Sequence, residues 1–153
     1  MLTSKFKVNN LPGIPSLVLK LIIFFSIIGT LDASYLTFKY YTKSELYCSF
    51  FSGCDTVTNS QYSEIFGIPV ALIGLIYYLS VFIISLLLHK GYIKKIDLYF
   101  TCFTAIGFIA SMWFMYLQFF VLSALCIYCI MSAISSTLIF ALTTSYTLEN
   151  YEY

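Results

Sequence analysis

Four apolar stretches, each long enough to cross a bilayer, constrain this chain more than any other feature of its sequence. They run from about 17 to 38, 67 to 88, 96 to 120 and 122 to 143. A hydrocarbon core of roughly 30 Å takes about 20 helical residues, so each stretch predicts one transmembrane helix. Together they take up most of the 153 residues, leaving an N-terminal arm, a loop at 39–66, a short loop at 89–95 and a brief tail. The first stretch outruns the apolar region of a signal peptide, and no small-residue cleavage site follows it. The second opens on Gly67-Ile68-Pro69, where a proline in the first helical turn is tolerated. Between the third and fourth the boundary is nearly seamless. The chain reads as a single all-α integral membrane domain over 1–153.

Composition agrees. Charged residues make up 10% of the chain, against about 25% in soluble domains. Eight Lys/Arg and seven Asp/Glu leave a formal net charge of +1, without the basic stripe that a nucleic-acid partner requires. The cations are all lysines, and their placement sets an expected orientation, since cytoplasmic flanks collect them. Lys5, Lys7 and Lys20 flank the first span's start, and Lys90, Lys94 and Lys95 fill the second loop. That side is expected to be cytoplasmic, with both termini. The loop at 39–66, which mixes Lys39 and Lys43 with Glu45, Asp55 and Glu64, then faces outward.

On that topology four of the five cysteines share one membrane face. Cys48 and Cys54 lie in the outward loop, and Cys126 and Cys129 near the outward beginning of the fourth span. Cys102 sits apart inside the third span and reads as a packing residue. An outward face is the oxidising side of a bacterial cytoplasmic membrane or an endoplasmic-reticulum membrane. In a Cys-x-x-Cys at a helix start, residues i and i+3 share a face, and the helix dipole favours a thiolate on the first cysteine. Cys126 is thus the better exchange partner, with Cys129 about one turn deeper. Other readings stand beside this one. The loop pair also suits a static clip, the span pair suits buried core thiols, and four cysteines suit a zinc or copper site. A metal is not expected, because His89 is predicted on the opposite side and the loop spacing is not that of a zinc knuckle. Asp32, an acid within a span, is a functional candidate.

These residues resemble the vitamin K epoxide reductase family, specifically its bacterial quinone-reducing members, over nearly the whole chain. The resemblance rests on Ser34-Tyr35-Leu36-Thr37 closing the first span, and on Cys48 and Cys54 with five residues between them. It continues with Asp55-Thr56-Val57-Thr58-Asn59-Ser60, Gly67-Ile68-Pro69, and Tyr116-Leu117 leading through Ala124-Leu125 into Cys126-Ile127-Tyr128-Cys129. It implies a four-helix bundle around a quinone, ubiquinone or menaquinone, with the outward loop as a lid over the active site. Cys126 and Cys129 are then the catalytic pair, and Cys48 and Cys54 the shuttle pair. Cys48 meets a soluble partner, and Cys54 passes electrons to Cys126 through a mixed disulfide. Ser60 lies near the quinone, with Trp113, Tyr116 and Tyr128 as further candidates for its pocket.

The partner so implied is a soluble thioredoxin-fold thiol oxidase of the DsbA type, in the periplasm outside a bacterial inner membrane. Such a protein has a potential near about −120 mV, so its reoxidation needs a sink as oxidising as a respiratory quinone. Animal members that process vitamin K carry an Asn early in the second span and a Tyr after the second catalytic cysteine. The matching positions here are Val70 and Ala133, which favours simple quinone reduction over epoxide reduction. Many bacterial members also carry a fifth span and a fused thioredoxin-like domain. This chain ends about ten residues after its fourth span, so its partner is expected to be a separate protein. The alternatives are a reductase of vitamin K epoxide or another quinone in a different compartment, and a disulfide-stapled membrane scaffold without catalysis.

Overall fold

Among the described residues, four helices are long and apolar enough to cross a membrane, the multi-pass bundle expected from the sequence. The structure is a computed structural model that describes residues 16–44, 53–90 and 97–151. Cys48, Glu45 and the lysines at 5, 7, 94 and 95 lie outside the described residues. In chain order come α1 (Ser16–Thr42), a short α2 (Cys54–Thr58), and the two-residue strands β1 (Glu64–Ile65) and β2 (Ile68–Pro69). Then follow α3 (Val70–His89), α4 (Asp97–Tyr116), a π-helical turn (Leu117–Val121) and α5 (Ile127–Tyr151).

Along α1 the buried positions are Leu19, Ile22, Ser26, Gly29, Ala33 and Thr37, spaced by three and four along one helical face. Most of these side chains are small. In lipid no hydrophobic force draws helices together, and small residues let backbones approach closely enough for dispersion and hydrogen bonding to do so. The main helix packing accordingly pairs α1 with α3, α1 with α5, and α4 with α5. Away from the cysteines, Ile22, Val81, Phe100 and Ile139 form the buried core. There α4 and α5 are joined by hydroxyl pairs, Thr101 with Thr147 at 2.8 Å and Thr104 with Thr143 at 2.9 Å. Between α3 and α4 the link is a side chain: the Tyr77 ring lies over Gly107, where any Cβ would overlap it, and packs on Phe103 at 5.3 Å between centroids.

Two boundaries differ from the sequence expectation, each for a local reason. Phe66 and Gly67 both have positive φ, 52° and 78°, as a tight hairpin turn requires. Gly67-Ile68-Pro69 therefore belongs to the β1–β2 hairpin, in which Glu64 faces Pro69 and Ile65 faces Ile68. Pro69 is the N-cap of α3, in extended conformation, so the helix starts at Val70 and not at 67. The join between the last two spans is not seamless either. After the π turn the chain leaves helical geometry at 122–126, with Ser123 at a φ of 47°, and re-enters it at Ile127.

Candidate redox site

The described candidate site residues gather at the end of the bundle where α1 and α4 finish and α3 and α5 begin. Cys126 immediately precedes α5, and its carbonyl accepts the first helical hydrogen bond, from Ile130 N–H at 3.1 Å, which makes it the N-cap. Its sulfur takes the place of the oxygen that usually caps a helix. It hydrogen-bonds the Cys129 side chain and the backbone N–H groups of Cys129 and Tyr128. The Cys129 hydrogen bond is the main reason the Cys126 thiol is lowered to about 7, against the opposing effect of burial, with the two backbone donors adding to it. Both cysteines are free thiols. A reduced pair holds the two electrons that a disulfide takes up, and a lowered first thiol reaches its reactive thiolate form more readily than an ordinary cysteine.

Above Cys126 sits the loop at 53–69. Thr58 Oγ1 donates to Cys54 O at 2.8 Å, Ser60 Oγ to Val57 O at 2.7 Å and Ser63 Oγ to Ser60 O at 2.7 Å. Tyr40 O–H donates to Glu64 Oε2 at 2.7 Å, tying the loop to α1. Gly53 lies so close to the segment before Cys126 that an added Cβ would be 2.9 Å from Leu125 N and 3.0 Å from Ala124 Cβ. Cys54 and Cys126 are thus each one residue from a backbone-to-backbone contact, and both are buried, at 1% and 0% exposure. Cys54 is disulfide-bonded.

Beneath the loop is a cavity of about 260 Å³ lined by α1, α3, α4, α5 and loop residues, at the small end of the roughly 300–1,000 Å³ of ligand pockets. Cys129 lines it, as do Asp32, Ser60, Gln118 and Ser132. Most of the remaining wall is apolar, from Leu36, Val57, Val70 and Phe114. Asp32 Oδ2 is buried and has no hydrogen-bond partner among the described residues. An apolar slot with a thiol and a few convergent polar groups suits a flat, carbonyl-bearing ring. Val70 and Ala133, the two positions where the sequence departs from the vitamin K-processing pattern, both line this cavity. The described residues hold no group of three or more His, Cys, Asp or Glu able to bind a metal.

Of the expected pocket residues, Ser60 lines the cavity and the three aromatics do not. The cavity face of α4 carries Gly107, Ala110, Ser111 and Phe114, at helical spacing, which turns Trp113 and Tyr116 to the outside. There they stack on each other at 6.0 Å, 58% and 50% exposed. Tyr128, one residue before Cys129, is rotated by about 100° and packs on Tyr35 of α1 at 5.1 Å. Cys102 is also corrected: it is exposed on the outer surface of α4 rather than packed inside. Sequence reasoning missed Gln118, Tyr77 and Tyr78. For Gln118 a signal existed, as a polar side chain within an apolar span needs a partner inside the protein.

A two-cysteine helix start over a cavity inside a four-span bundle defines a membrane redox protein. The chain belongs to the vitamin K epoxide reductase family, whose model matches residues 20–144. It is also similar to the thiol-disulfide oxidoreductase LTO1 of Arabidopsis thaliana, 36% identical over 121 residues. That match covers 74% of this chain but 32% of the plant protein, so the chain spans about a third of that relative's length.

Proposed function

We propose that this protein is a membrane thiol-disulfide oxidoreductase that reoxidises a soluble, DsbA-like thiol oxidase and passes the electrons to a membrane quinone. The observation that carries this is the placement of the free pair, with Cys126 beside the start of the loop helix and Cys129 in the cavity wall. Electrons then have one path. The partner's thiols reduce a Cys48–Cys54 disulfide, and the Cys54 thiolate attacks Cys126 of an oxidised Cys126–Cys129 pair, with Cys129 leaving as thiolate. The Cys48 thiolate next attacks Cys54 of the mixed disulfide, which releases Cys126 and reforms the loop disulfide. A quinone in the cavity supplies the two-electron acceptor that returns Cys126 and Cys129 to the disulfide.

The chain's own part is to hold that geometry and exclude water. The apolar wall orients the ring, and Asp32, the acid with an open oxygen in the wall, is the group we assign to moving a proton. The lysine distribution supports an orientation with the loop and both pairs on the outer, periplasmic face of a bacterial inner membrane.

The test is the purified protein mixed with a reduced DsbA-like oxidase and ubiquinone or menaquinone, followed by absorbance for quinol. Quinol formation at the rate of partner oxidation is expected, and none would sink the proposal. In parallel, Cys48→Ala is expected to accumulate a Cys54–Cys126 disulfide that mass spectrometry can locate. A static scaffold never forms that bond.

A further inference from the structure

Backbone N–H groups that leave helical geometry need other partners, and two of those at 122–126 find theirs on the backbone and side-chain carbonyls of one residue, Gln118. The π turn closes with Leu122 N–H on Leu117 O at 2.8 Å, and Ala124 N–H then reaches back to Gln118 O at 3.2 Å. The side chain of the same Gln118 completes the sequence, its Oε1 accepting the Cys126 N–H at 3.0 Å. Gln118 is 2% exposed, so this bond is made where water cannot replace it, and losing it leaves a buried donor unpaired.

The position it serves is particular. In a capping box, the residue at the third helical position reaches back to the N-cap N–H, and that residue is ordinarily Glu or Gln. Here the N-cap is Cys126 and the third position is Cys129, a thiol already committed to Cys126 and to the cavity. No described side chain of α5 does the reciprocal job. Gln118 does it from the π turn that follows α4, an element that widens a helix by one residue and recurs at functional sites. The amide is also hydrogen-bonded to the Cys129 side chain, so one group touches both members of the pair.

We propose that Gln118 is a positioning residue for thiol exchange, supplying from another helix the missing half of the α5 capping box and thereby holding the Cys126 sulfur in its cap against the loop. This deepens the relay reading above and rests on it for its functional meaning. Its structural content stands apart, because the orientation of Cys126 can be read without partner or quinone.

The experiment uses the full chain in detergent with the Cys126–Cys129 pair reduced, and Gln118→Met, which keeps an unbranched side chain of similar bulk and removes the acceptor. Iodoacetamide labelling is resolved by peptide mass spectrometry as a function of pH. In the unmodified protein Cys126 labelling is expected to have its midpoint at about 7. In Gln118→Met the sulfur loses its cap, and labelling at neutral pH falls about tenfold as the midpoint moves toward the ordinary cysteine value of about 8.5. Cys102, remote and exposed on α4, is expected to label as before and reports reagent access. An unchanged Cys126 profile overturns the proposal, including the case in which quinol formation nevertheless drops, since Gln118 would then act on the cavity alone. If Gln118→Met does not fold, amide exchange in the unmodified chain labelled with 15N-cysteine decides: a slow Cys126 N–H is required, and a fast one overturns it. Failure of the unmodified protein to make quinol would remove the relay reading while leaving this result intact.

Discussion

Away from the cysteines the bundle is filled by Ile22, Val81, Phe100 and Ile139 and cross-linked by threonine pairs between α4 and α5. Around Cys129 the same four helices stand off from one another and leave a cavity with an open carboxyl oxygen on Asp32. The closed half resembles the interior of any packed helical protein. Its neighbour keeps features that cost stability: a void, a buried acid and a stretch of non-helical backbone between two spans. The contrast shows that one half of a small bundle can supply the rigidity that lets the other hold reactive groups in fixed places. Tyr77 and Tyr78 mark the seam. Both rings line the cavity, and the Tyr78 hydroxyl is tied to Ser132 O at 2.7 Å.

Substitutions that break this division are expected to act on function or on stability, and seldom on both. The largest effect belongs to Cys129→Ala, which should bring quinol formation to background while leaving thermal stability nearly unchanged; measurable turnover would remove Cys129 from the relay. Asp32→Asn should slow quinol formation about tenfold, a loss of about 1.4 kcal/mol of transition-state stabilisation. The melting temperature should hold or rise, because an unpaired buried acid has been neutralised. A fall in melting temperature with full turnover would assign Asp32 to structure.

The pH dependence of Cys126 sharpens the same contrast. The thiolate is the reactive form, and this thiol is lowered to about 7. Its alkylation should therefore climb as pH rises through about 7 and level off above it. A midpoint near 8.5, the ordinary value, would mean that the sulfur does not cap α5. On the closed side Thr104→Val should cost about 0.6 kcal/mol, up to about 1.7, as hydrogen bonds between membrane helices do. Unfolding in mixed micelles would measure it, and kcat should not move. Cys102→Ala should change neither stability nor turnover, and loss of turnover would return Cys102 to the redox set.

Much of this was legible in the amino-acid sequence, for reasons that can be traced to particular residues. Cys126 and Cys129 were recognisable because i, i+3 spacing at a helix start carries its own geometry. The loop pair stood out by sidedness, and Cys48 falls outside the described residues. Ser60 was identified with the cavity through the family motif. The aromatic candidates are not among the residues that line the cavity. Trp113, Tyr116 and Tyr128 are near the cysteines in sequence but face outward or toward α1, while Tyr77 and Tyr78, some fifty residues earlier in the chain, face the cavity. Gly67-Ile68-Pro69 was read as the opening of a helix, because the left-handed backbone at Phe66 is invisible in a list of residue types.

What the sequence by itself determined is the set of spans, the candidate cysteine pairs and the family. Those follow from length, hydropathy and short motifs, all local along the chain. Which side of each span faces the cavity, and that Gln118 holds the backbone of Cys126, only the tertiary structure decided. A soluble helix announces its buried face by alternating apolar and polar residues, but a span is apolar on every side, because lipid and protein interior select the same side chains. Orientation within the bundle is then set by where small residues let helices approach, and that depends on the neighbours.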